Sequence, residues 1–493
     1  MLYKLRQRVG RLVPRNTFVR GVLAMVGGAV GTQAIMIAAS PILTRIYTPE
    51  MFGLAAVFVG FTAIFGTLAT WRYELAIPQA ENDQAAGNLA LLCFALSLCL
   101  FVATSLALLF FKVELAALFN LDAIADLLWL IPVYVLTIGI SQILTYWHYR
   151  KKQFSAVAKA AVSRNAGMVV LQLIFYPFGA AALVTGQFFG QLVSIGTLLC
   201  GSAKLFRQKK DVAVIKANAR RFRKYPIFST WSGLTGGAAQ QAPTLMFAAL
   251  FSPVQAGLYS LAFRMVSLPG ALVGSAVANV FLPHAADAYR EGKLGDLLLK
   301  VHSILVPIAI PAVVVLVLLS PALFAFVFGS EWREAGSYAQ WLAVMLYANF
   351  IFGPVSTSFG IMNKQDAGLL LYVSLLVASL TSIWIGATFF QDTLATIALY
   401  SIANAMLYFL ALIWLHLQVG STVVALLKPL ACSFLRAIPM ALPLLLVVNL
   451  TLPLWSVSIL VAISIFFTFL YYLPLLKQLR QSKGDNLQEP VLP

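Results

Sequence analysis

The feature that most constrains this chain is a succession of apolar stretches, each long enough to cross a lipid bilayer as a helix. A helical span needs about 20 mostly apolar residues. The sequence contains fourteen such stretches, and they predict an all-α transmembrane fold of about fourteen helices. Their approximate ranges are 21–45, 53–71, 88–111, 124–147, 156–177, 180–203, 226–250, 257–282, 301–325, 336–358, 367–389, 393–415, 429–449 and 454–474.

The composition excludes a soluble globular protein. The chain is 61% hydrophobic and only 10% charged, whereas soluble domains carry about 25% charged residues. The net charge of +17 raises the possibility of nucleic-acid binding. Most basic residues, however, lie in short loops between the apolar stretches. We therefore expect membrane lipid, and no nucleic acid, as a partner.

The basic residues also predict how the chain is oriented in the membrane. With the N-terminus in the cytoplasm, 27 of the 34 lysines and arginines fall on the cytoplasmic side. The external loops contain only Arg45, Lys112 and Arg333. This asymmetry is the one that orients membrane proteins. We expect a multi-pass protein of the bacterial inner membrane with both termini in the cytoplasm.

Two copies of one short motif indicate an internal repeat. Residues 48–54 (TPEMFGL) and 252–258 (SPVQAGL) share the pattern [ST]-P-x-x-x-G-L, and a proline follows each at a predicted span end, Pro78 and Pro283. A hydroxyl residue followed by proline is typical of a helix start, so two independent turns could also produce the motif. Six spans separate the copies, which predicts a parallel repeat, an architecture found among transporters.

This repeat predicts how the chain is divided. We expect two six-helix lobes around a central cavity, joined by a basic linker, and two extra C-terminal helices. The predicted segments are a basic cytoplasmic N-terminus (1–20), the first lobe (21–203), the linker (204–225), the second lobe (226–415), a two-helix hairpin (429–474) and a cytoplasmic tail (475–493).

No catalytic or metal-binding motif occurs in the chain. The four histidines are far apart, the four cysteines lie in apolar stretches, and no glycine-rich phosphate loop is present. All 17 acidic residues lie at span ends, in loops or in tails. We therefore expect neither catalytic residues nor a metal or cofactor, and a protein that is not an enzyme.

Cations inside the predicted spans are the best candidates for a binding site. A charge at mid-bilayer is costly and usually faces a cavity or pathway. Arg164 lies midway along the fifth span, which makes it the leading candidate. Lys159 and Arg436 lie nearer the cytoplasmic ends, where their side chains could instead reach the interface. Arg264 could line the cavity or form a structural pair with Glu74 or a helix C-terminus.

Polar and small residues in the first and seventh spans complete the predicted site. Gln33 lies in the first span, and Gln240 and Gln241 lie in the seventh. Both spans carry helix-weakening residues at similar places, which would suit broken helices around a central site. Close packing through small residues is the alternative. The residues concerned are Gly27, Gly28, Gly31, Gly236, Gly237 and Pro243.

Several segments resemble the polysaccharide-biosynthesis flippases. This family belongs to the superfamily that also contains the multidrug and toxin extrusion antiporters and the lipid II flippases. The resemblance covers roughly the first 370 residues and is strongest in the first two of the following segments. They are 41–53 (PILTRIYTPEMFG), 72–77 (RYELAI), 257–259 (GLY) with Arg264 and Pro269, 328–336 (FGSEWREAG) and 363–365 (NKQ).

The resemblance implies translocation of undecaprenyl-pyrophosphate-linked oligosaccharide across the inner membrane for O-antigen, capsule or exopolysaccharide assembly. It implies alternating access through a cationic cavity, with polysaccharide polymerase and chain-length proteins as partners. The pyrophosphate would bind the buried cations, or it would stay at the interface near Arg72 or Arg45.

Three other functions would place different demands on the sequence. A multidrug or cation antiporter of the same fold would need carboxylates within the membrane, and the sequence places none there. A lipid II flippase would share the fold. A membrane polysaccharide polymerase would need a large external loop, whereas the longest loop here has about 21 residues.

Overall fold

The computed structural model describes residues 17–206, 208–449 and 453–485. These residues form helices and connecting turns, with no β-strand among them. Fourteen of the described helices have 20 residues or more, and we number them α1–α14. In order, they are Thr17–Ile46, Pro49–Leu68, Asp83–Leu118, Leu130–Arg150, Phe154–Ile174, Ala180–Leu199, Thr230–Leu250, Pro253–Arg290, Leu294–Phe328, Arg333–Val355, Gln365–Ile385, Thr393–Gln418, Val423–Asn449 and Leu454–Asp485.

Each predicted span corresponds to one of these helices. Within the described residues, ten are long and apolar enough to cross a membrane. The all-helical membrane fold is therefore confirmed. Several helices extend past the predicted ranges; α3, for example, begins at Asp83, five residues before the predicted start. The reason is a polar N-cap, because the Asn82 side chain accepts a hydrogen bond from Ala85 N at 2.8 Å.

The two copies of the repeated motif form the same local structure. The Thr48 hydroxyl accepts a hydrogen bond from Met51 N at 3.4 Å. The Ser252 hydroxyl accepts one from Gln255 N, also at 3.4 Å. A proline then occupies the first turn of α2 and of α8, as expected for a capped helix start.

The prediction that Pro78 and Pro283 occupy matching span ends after the two motif copies is wrong. Pro78 lies in the 3₁₀-helix Tyr73–Gln79 after α2, whereas Pro283 lies inside the continuous helix α8. Interior prolines are tolerated in membrane helices because neighbouring groups satisfy the freed carbonyls. These two prolines are therefore not structurally equivalent.

The chain forms two compact units, Met1–Ser260 and Leu261–Pro493. In the first unit, α2 packs against α7, α1 against α5, and α3 against α4. Part of its core lies around Ile77, Leu89, Leu144 and Trp147. In the second unit, α9 packs against α10 and α13, and α10 against α12. The division of the chain into two six-helix lobes stays a prediction.

Helix α1 is continuous, contrary to the expectation of a broken helix. It runs from Thr17 to Ile46 without interruption, and α7 likewise runs from Thr230 to Leu250. Gly28 of α1 instead allows close packing on α5, whereas Gly27 faces open space. A Cβ atom on Gly28 would lie 2.7 Å from Ala158 Cβ, so this contact requires a glycine.

Candidate substrate-binding site

The turn after α2 presents an arginine in an unusual backbone conformation. Trp71 and Arg72 both have left-handed backbone angles, with φ of 50° and 61°. Each non-glycine residue in this region costs about 1–3 kcal/mol, so the surrounding structure must hold it. The preceding backbone is fixed, because Ser97 Oγ donates a hydrogen bond to Ala69 O at 2.8 Å.

The 3₁₀-helix that follows is attached to neighbouring elements at both ends. The Tyr73 hydroxyl donates to Ala219 O at 3.1 Å, and Gln79 Nε2 donates to the Tyr225 hydroxyl at 2.6 Å. Arg150 Nη1 also donates to Ala80 O at 2.6 Å, just after this helix. These bonds fix the segment that positions Arg72.

The Arg72 guanidinium lies against α7 at Gly233. A Cβ atom on Gly233 would lie 2.8 Å from Arg72 Nε and 2.9 Å from Cζ, so a larger residue there would displace the guanidinium from this position. The group borders a cavity of about 420 Å³ that Ser229 and Ser232 also line. Arg72 Nε is buried and has no hydrogen-bond partner among the described residues.

Glu74 is the acidic residue nearest this arginine. Its side chain is buried, accepts a hydrogen bond from the Thr70 hydroxyl, and lies 3.9 Å from Arg72 Nη1. Burial raises the pKa of the Glu74 carboxyl, while the Thr70 hydrogen bond and the Arg72 charge oppose that increase. At this distance Glu74 leaves most of the donors of Arg72 unused.

The Thr70 hydroxyl has two possible acceptors but only one proton. It lies 3.2 Å from Gln142 Oε1 as well as beside Glu74 Oε2. Gln142 Nε2 donates to Gly66 O at 3.1 Å, which turns the amide oxygen toward Thr70. A protonated Glu74 would donate to Thr70 and let Thr70 donate to Gln142, so this geometry agrees with the raised pKa.

This arrangement can bind an anion. A guanidinium presents several donors in a fixed fork that matches phosphate or carboxylate oxygens. The Arg72 side chain is partly exposed, and it lines the cavity together with Ser229 and Ser232. The chemistry of the site is therefore recognition of a negatively charged, oxygen-rich group.

Arg164, the leading candidate from the sequence, lies on α5 and is half-buried. Its Nη2 donates a hydrogen bond to the Tyr134 hydroxyl on α4 at 3.2 Å. None of the ion pairs between described residues involves Arg164. Its guanidinium is thus oriented by a neutral partner and keeps its charge available.

The other candidates in the first unit lie on two helix pairs. Gln33 is half-buried on α1, which packs on the helix that carries Arg164 and the exposed Lys159. Gln240 is exposed and Gln241 half-buried on α7, the helix that contacts Arg72.

The remaining two candidates are Arg45 and Arg264. Arg45 is exposed at the last turn of α1, on the side that the topology prediction places outside. Arg264 is half-buried on α8, within the second unit. The described partners of Glu74 are Thr70 and Arg72.

Sequence reasoning missed three residues around Arg72. Ser232 and Gly233 of α7, together with Ser229 just before this helix, line the cavity. Their signal is a run of small and hydroxyl residues at 229–236 (STWSGLTG), which departs from the apolar pattern of the other spans. This run could have indicated a polar surface on α7. It could not have indicated that Arg72 lies against that surface.

Comparison with known proteins extends these observations. A family model described as polysaccharide biosynthesis protein matches residues 42–337, which is more than half of the chain. The chain is also similar to the succinoglycan biosynthesis transport protein ExoT of Rhizobium meliloti (strain 1021). The two are 26% identical over 371 residues, or 73% of this chain and 72% of that protein.

Solved structures share the fold. The lipid II flippase MurJ in an inward closed conformation aligns with a TM-score of 0.72 at 14% identity, covering 92% of this chain and 99% of MurJ. An inward-facing multidrug resistance MATE transporter of the MOP superfamily aligns with a TM-score of 0.62 at 17% identity, covering 79% and 94%. The fold is thus that of a multi-pass membrane transporter, and the match of the family model shows that the chain belongs to the polysaccharide biosynthesis protein family.

Proposed function

We propose that this protein is a flippase for lipid-linked glycan. In this proposal, it moves undecaprenyl-pyrophosphate-linked oligosaccharide from the cytoplasmic to the periplasmic leaflet by alternating access, for assembly of O-antigen, capsule or exopolysaccharide. Family membership, the similarity to a succinoglycan transport protein and the transporter fold support this function. The family and its structural relatives are transport proteins rather than enzymes.

The observation that carries the proposal is the Arg72 guanidinium in the cavity beside Gly233. Pyrophosphate offers several oxygens at the spacing that a guanidinium fork binds. The topology prediction places this site at the cytoplasmic end, where the substrate is made. We assign Arg72 to capture of the pyrophosphate, and Arg164 to a later contact with pyrophosphate or acidic sugar.

The other candidate residues receive secondary roles. Gln33, Gln240 and Gln241 can hydrogen-bond neutral sugar hydroxyls, while Lys159, Arg264 and Arg45 can each contribute positive charge. Sugar and pyrophosphate must both leave again, so each contact has to be individually weak.

The test is glycan export with variants of the Arg72 site at equal membrane abundance. Arg72→Ala removes the charge, Arg72→Lys removes the fork, and Gly233→Ala adds a Cβ that displaces the guanidinium. We expect losses of about tenfold or more for Arg72→Ala and Gly233→Ala, because a charged hydrogen bond contributes about 1.5–3 kcal/mol. Arg72→Lys should be intermediate.

Matched controls come from the same elements. Gly236→Ala lies on α7 in open space, with no atom within 4 Å of the added Cβ. Arg223→Lys changes an exposed arginine of the linker. Both should export normally, and full export by Gly233→Ala would contradict the role of the site. Extrusion of cationic dyes without glycan export would identify a multidrug antiporter instead.

A further inference from the structure

A second cavity lies in the first unit, away from Arg72. It measures about 380 Å³ and is formed by α3, α4 and the linker that follows α6. Its walls are apolar and include Leu91, Phe94, Ile140 and Leu144. Two lysines of the linker, Lys209 and Lys210, lie at its edge. We call it the linker crevice.

The lysines are held beside the crevice by a buried asparagine. Asn88 on α3 is 1% exposed. Its Nδ2 donates to Lys209 O at 3.1 Å, and its Oδ1 accepts from Asp211 N at 3.0 Å. A Cβ atom on Gly87 would lie 2.7 Å from Gln208 Cβ, so the linker also requires a glycine there. The backbone that carries the lysines is thus fixed.

Neither lysine has a counter-ion among the residues that the structure describes. Lys209 and Lys210 are exposed and take part in none of the ion pairs between described residues. Nearby cations differ, since Arg150 and Lys151 both bind Asp83. Asp83 is therefore committed to other cations, and Asp211, the acidic neighbour of Lys210, caps the following helix by accepting hydrogen bonds from Ala213 N and Val214 N. Neither carboxylate forms an ion pair with Lys209 or Lys210 among the described residues.

We propose that the linker crevice binds an anionic phospholipid of the cytoplasmic leaflet, with an acyl chain along its apolar wall and the phosphate at Lys209 and Lys210. Charge complementarity supports this occupant, because the cytoplasmic leaflet is negatively charged and basic pockets between membrane helices bind anionic headgroups. The positive-inside asymmetry places the linker on that side.

The polar groups of the crevice argue against the glycolipid substrate as occupant. Asn88 is saturated by the linker backbone, and Gln208 Nε2 donates to Lys204 O at 2.8 Å. A glycan would need several convergent polar groups, and these two are already engaged. The crevice can recognise an alkyl chain and a phosphate charge, which a phospholipid supplies.

The test measures retention of dioleoyl-phosphatidylglycerol by the purified full-length protein, using native mass spectrometry against dioleoyl-phosphatidylcholine. We expect preferential retention of phosphatidylglycerol. In the double variant Lys209→Gln/Lys210→Gln, the preference for phosphatidylglycerol should fall by on the order of tenfold, because each lysine near an anionic headgroup strengthens its binding. Leu91→Trp should also lose it by filling the apolar wall.

Two controls match these variants. Lys204→Gln/Lys216→Gln removes the same charge from exposed linker positions, and Leu98→Trp enlarges an exposed residue of α3. Both should retain phosphatidylglycerol normally. Equal losses in the control and test variants, or equal retention of both lipids, would overturn the proposal. So would displacement by undecaprenyl phosphate at lower concentration than phosphatidylglycerol itself, which would assign the crevice to the carrier.

The readout is binding alone and does not depend on the flippase proposal. If the crevice showed no lipid preference, the proposed role of Arg72 in glycan export would still stand. If an Arg72 variant exported glycan normally, the lipid-binding proposal would still stand.

Discussion

Gly53 and Gly257 lie in reciprocal contact where α2 and α8 begin. Gly53 faces the carbonyl of Pro253, and Gly257 faces the carbonyl of Pro49, so closely that a Cβ on either would overlap the opposing backbone. These glycines are equivalent positions of the repeated [ST]-P-x-x-x-G-L motif. The two copies therefore meet each other with local two-fold character, which two unrelated helix starts would have no reason to do.

Alanine at either glycine should destabilise the protein. Gly53→Ala or Gly257→Ala forces the two backbones apart, and overpacking of this kind typically costs about 1–3 kcal/mol. Thermal unfolding of the purified protein in detergent would measure the loss. Gly196→Ala, on α6 with no atom within 4 Å of the added Cβ, serves as the control. Unchanged unfolding of Gly53→Ala would mean that the contact is loose.

The second prediction concerns Arg164. Glycan export should decrease from wild type to Arg164→Lys to Arg164→Ala at equal protein levels, because lysine keeps the charge but loses the fork. Tyr134→Phe removes the hydrogen-bond partner while leaving the charge in place, so it should reduce export only a fewfold. Full export by Arg164→Ala would remove Arg164 from the site.

The third prediction concerns pH and Glu74. Burial raises the pKa of the Glu74 carboxyl, so the folded state holds its proton more tightly than the unfolded state. Its contribution to stability is fully present below the ordinary pKa of 4.5 and is lost as pH rises through the folded-state pKa. The neighbouring titratable groups are Arg72 of the same turn, Cys93 of α3 and Tyr146 of α4.

Glu74→Gln should remove this dependence. The amide stays neutral, so the variant should lose less stability than wild type as pH increases above 4.5. Thermal unfolding across a pH series would measure the difference between the two curves. The exposed Glu331→Gln should behave like wild type. A Glu74→Gln curve parallel to wild type would show that the pKa of Glu74 is the same in the folded and unfolded states, which would contradict the prediction.

The fourth prediction concerns topology. Lys209 and Arg333 are both exposed, and the positive-inside asymmetry places them on opposite sides of the membrane. Cysteines introduced at these positions, in a chain whose four native cysteines are replaced, should react with a membrane-impermeant reagent from opposite sides. Labelling of both from one side would contradict the predicted orientation.

The helices could be predicted from the sequence because bilayer thickness sets a length that apolar stretches must meet. The helix starts at Pro49 and Pro253 were likewise recognisable from local chemistry. The sequence alone could not decide whether the α1 glycines break the helix or allow close packing, because the answer depends on which helix packs against them. A glycine that weakens an isolated helix is the same residue that allows Gly28 to approach Ala158, and only the fold distinguishes the two.

The site was predictable in its charges but not in its geometry. Arg164 was a candidate because cations are rare within membrane spans. Arg72 was a candidate because the resemblance to the flippases implies an interfacial position for the pyrophosphate near Arg72 or Arg45. The left-handed backbone at Trp71 and Arg72 has no sequence signal, since neither residue is a glycine or asparagine. The contact of Arg72 with Gly233 follows from packing between helices far apart in the chain, which local patterns do not encode.

The packing of α2 on α7 has a consequence for biosynthesis. Gly60 contacts Leu245, and Gly233 contacts Arg72, so α7 covers a long face of α2. The ribosome, however, makes four further spanning helices and the whole linker between these two. Until α7 enters the membrane, the glycine-lined face of α2 and the turn that carries Arg72 lack the helix against which they pack. A nascent chain halted in the linker would therefore carry an incomplete anion site, whose assembly depends on a helix that is translated later.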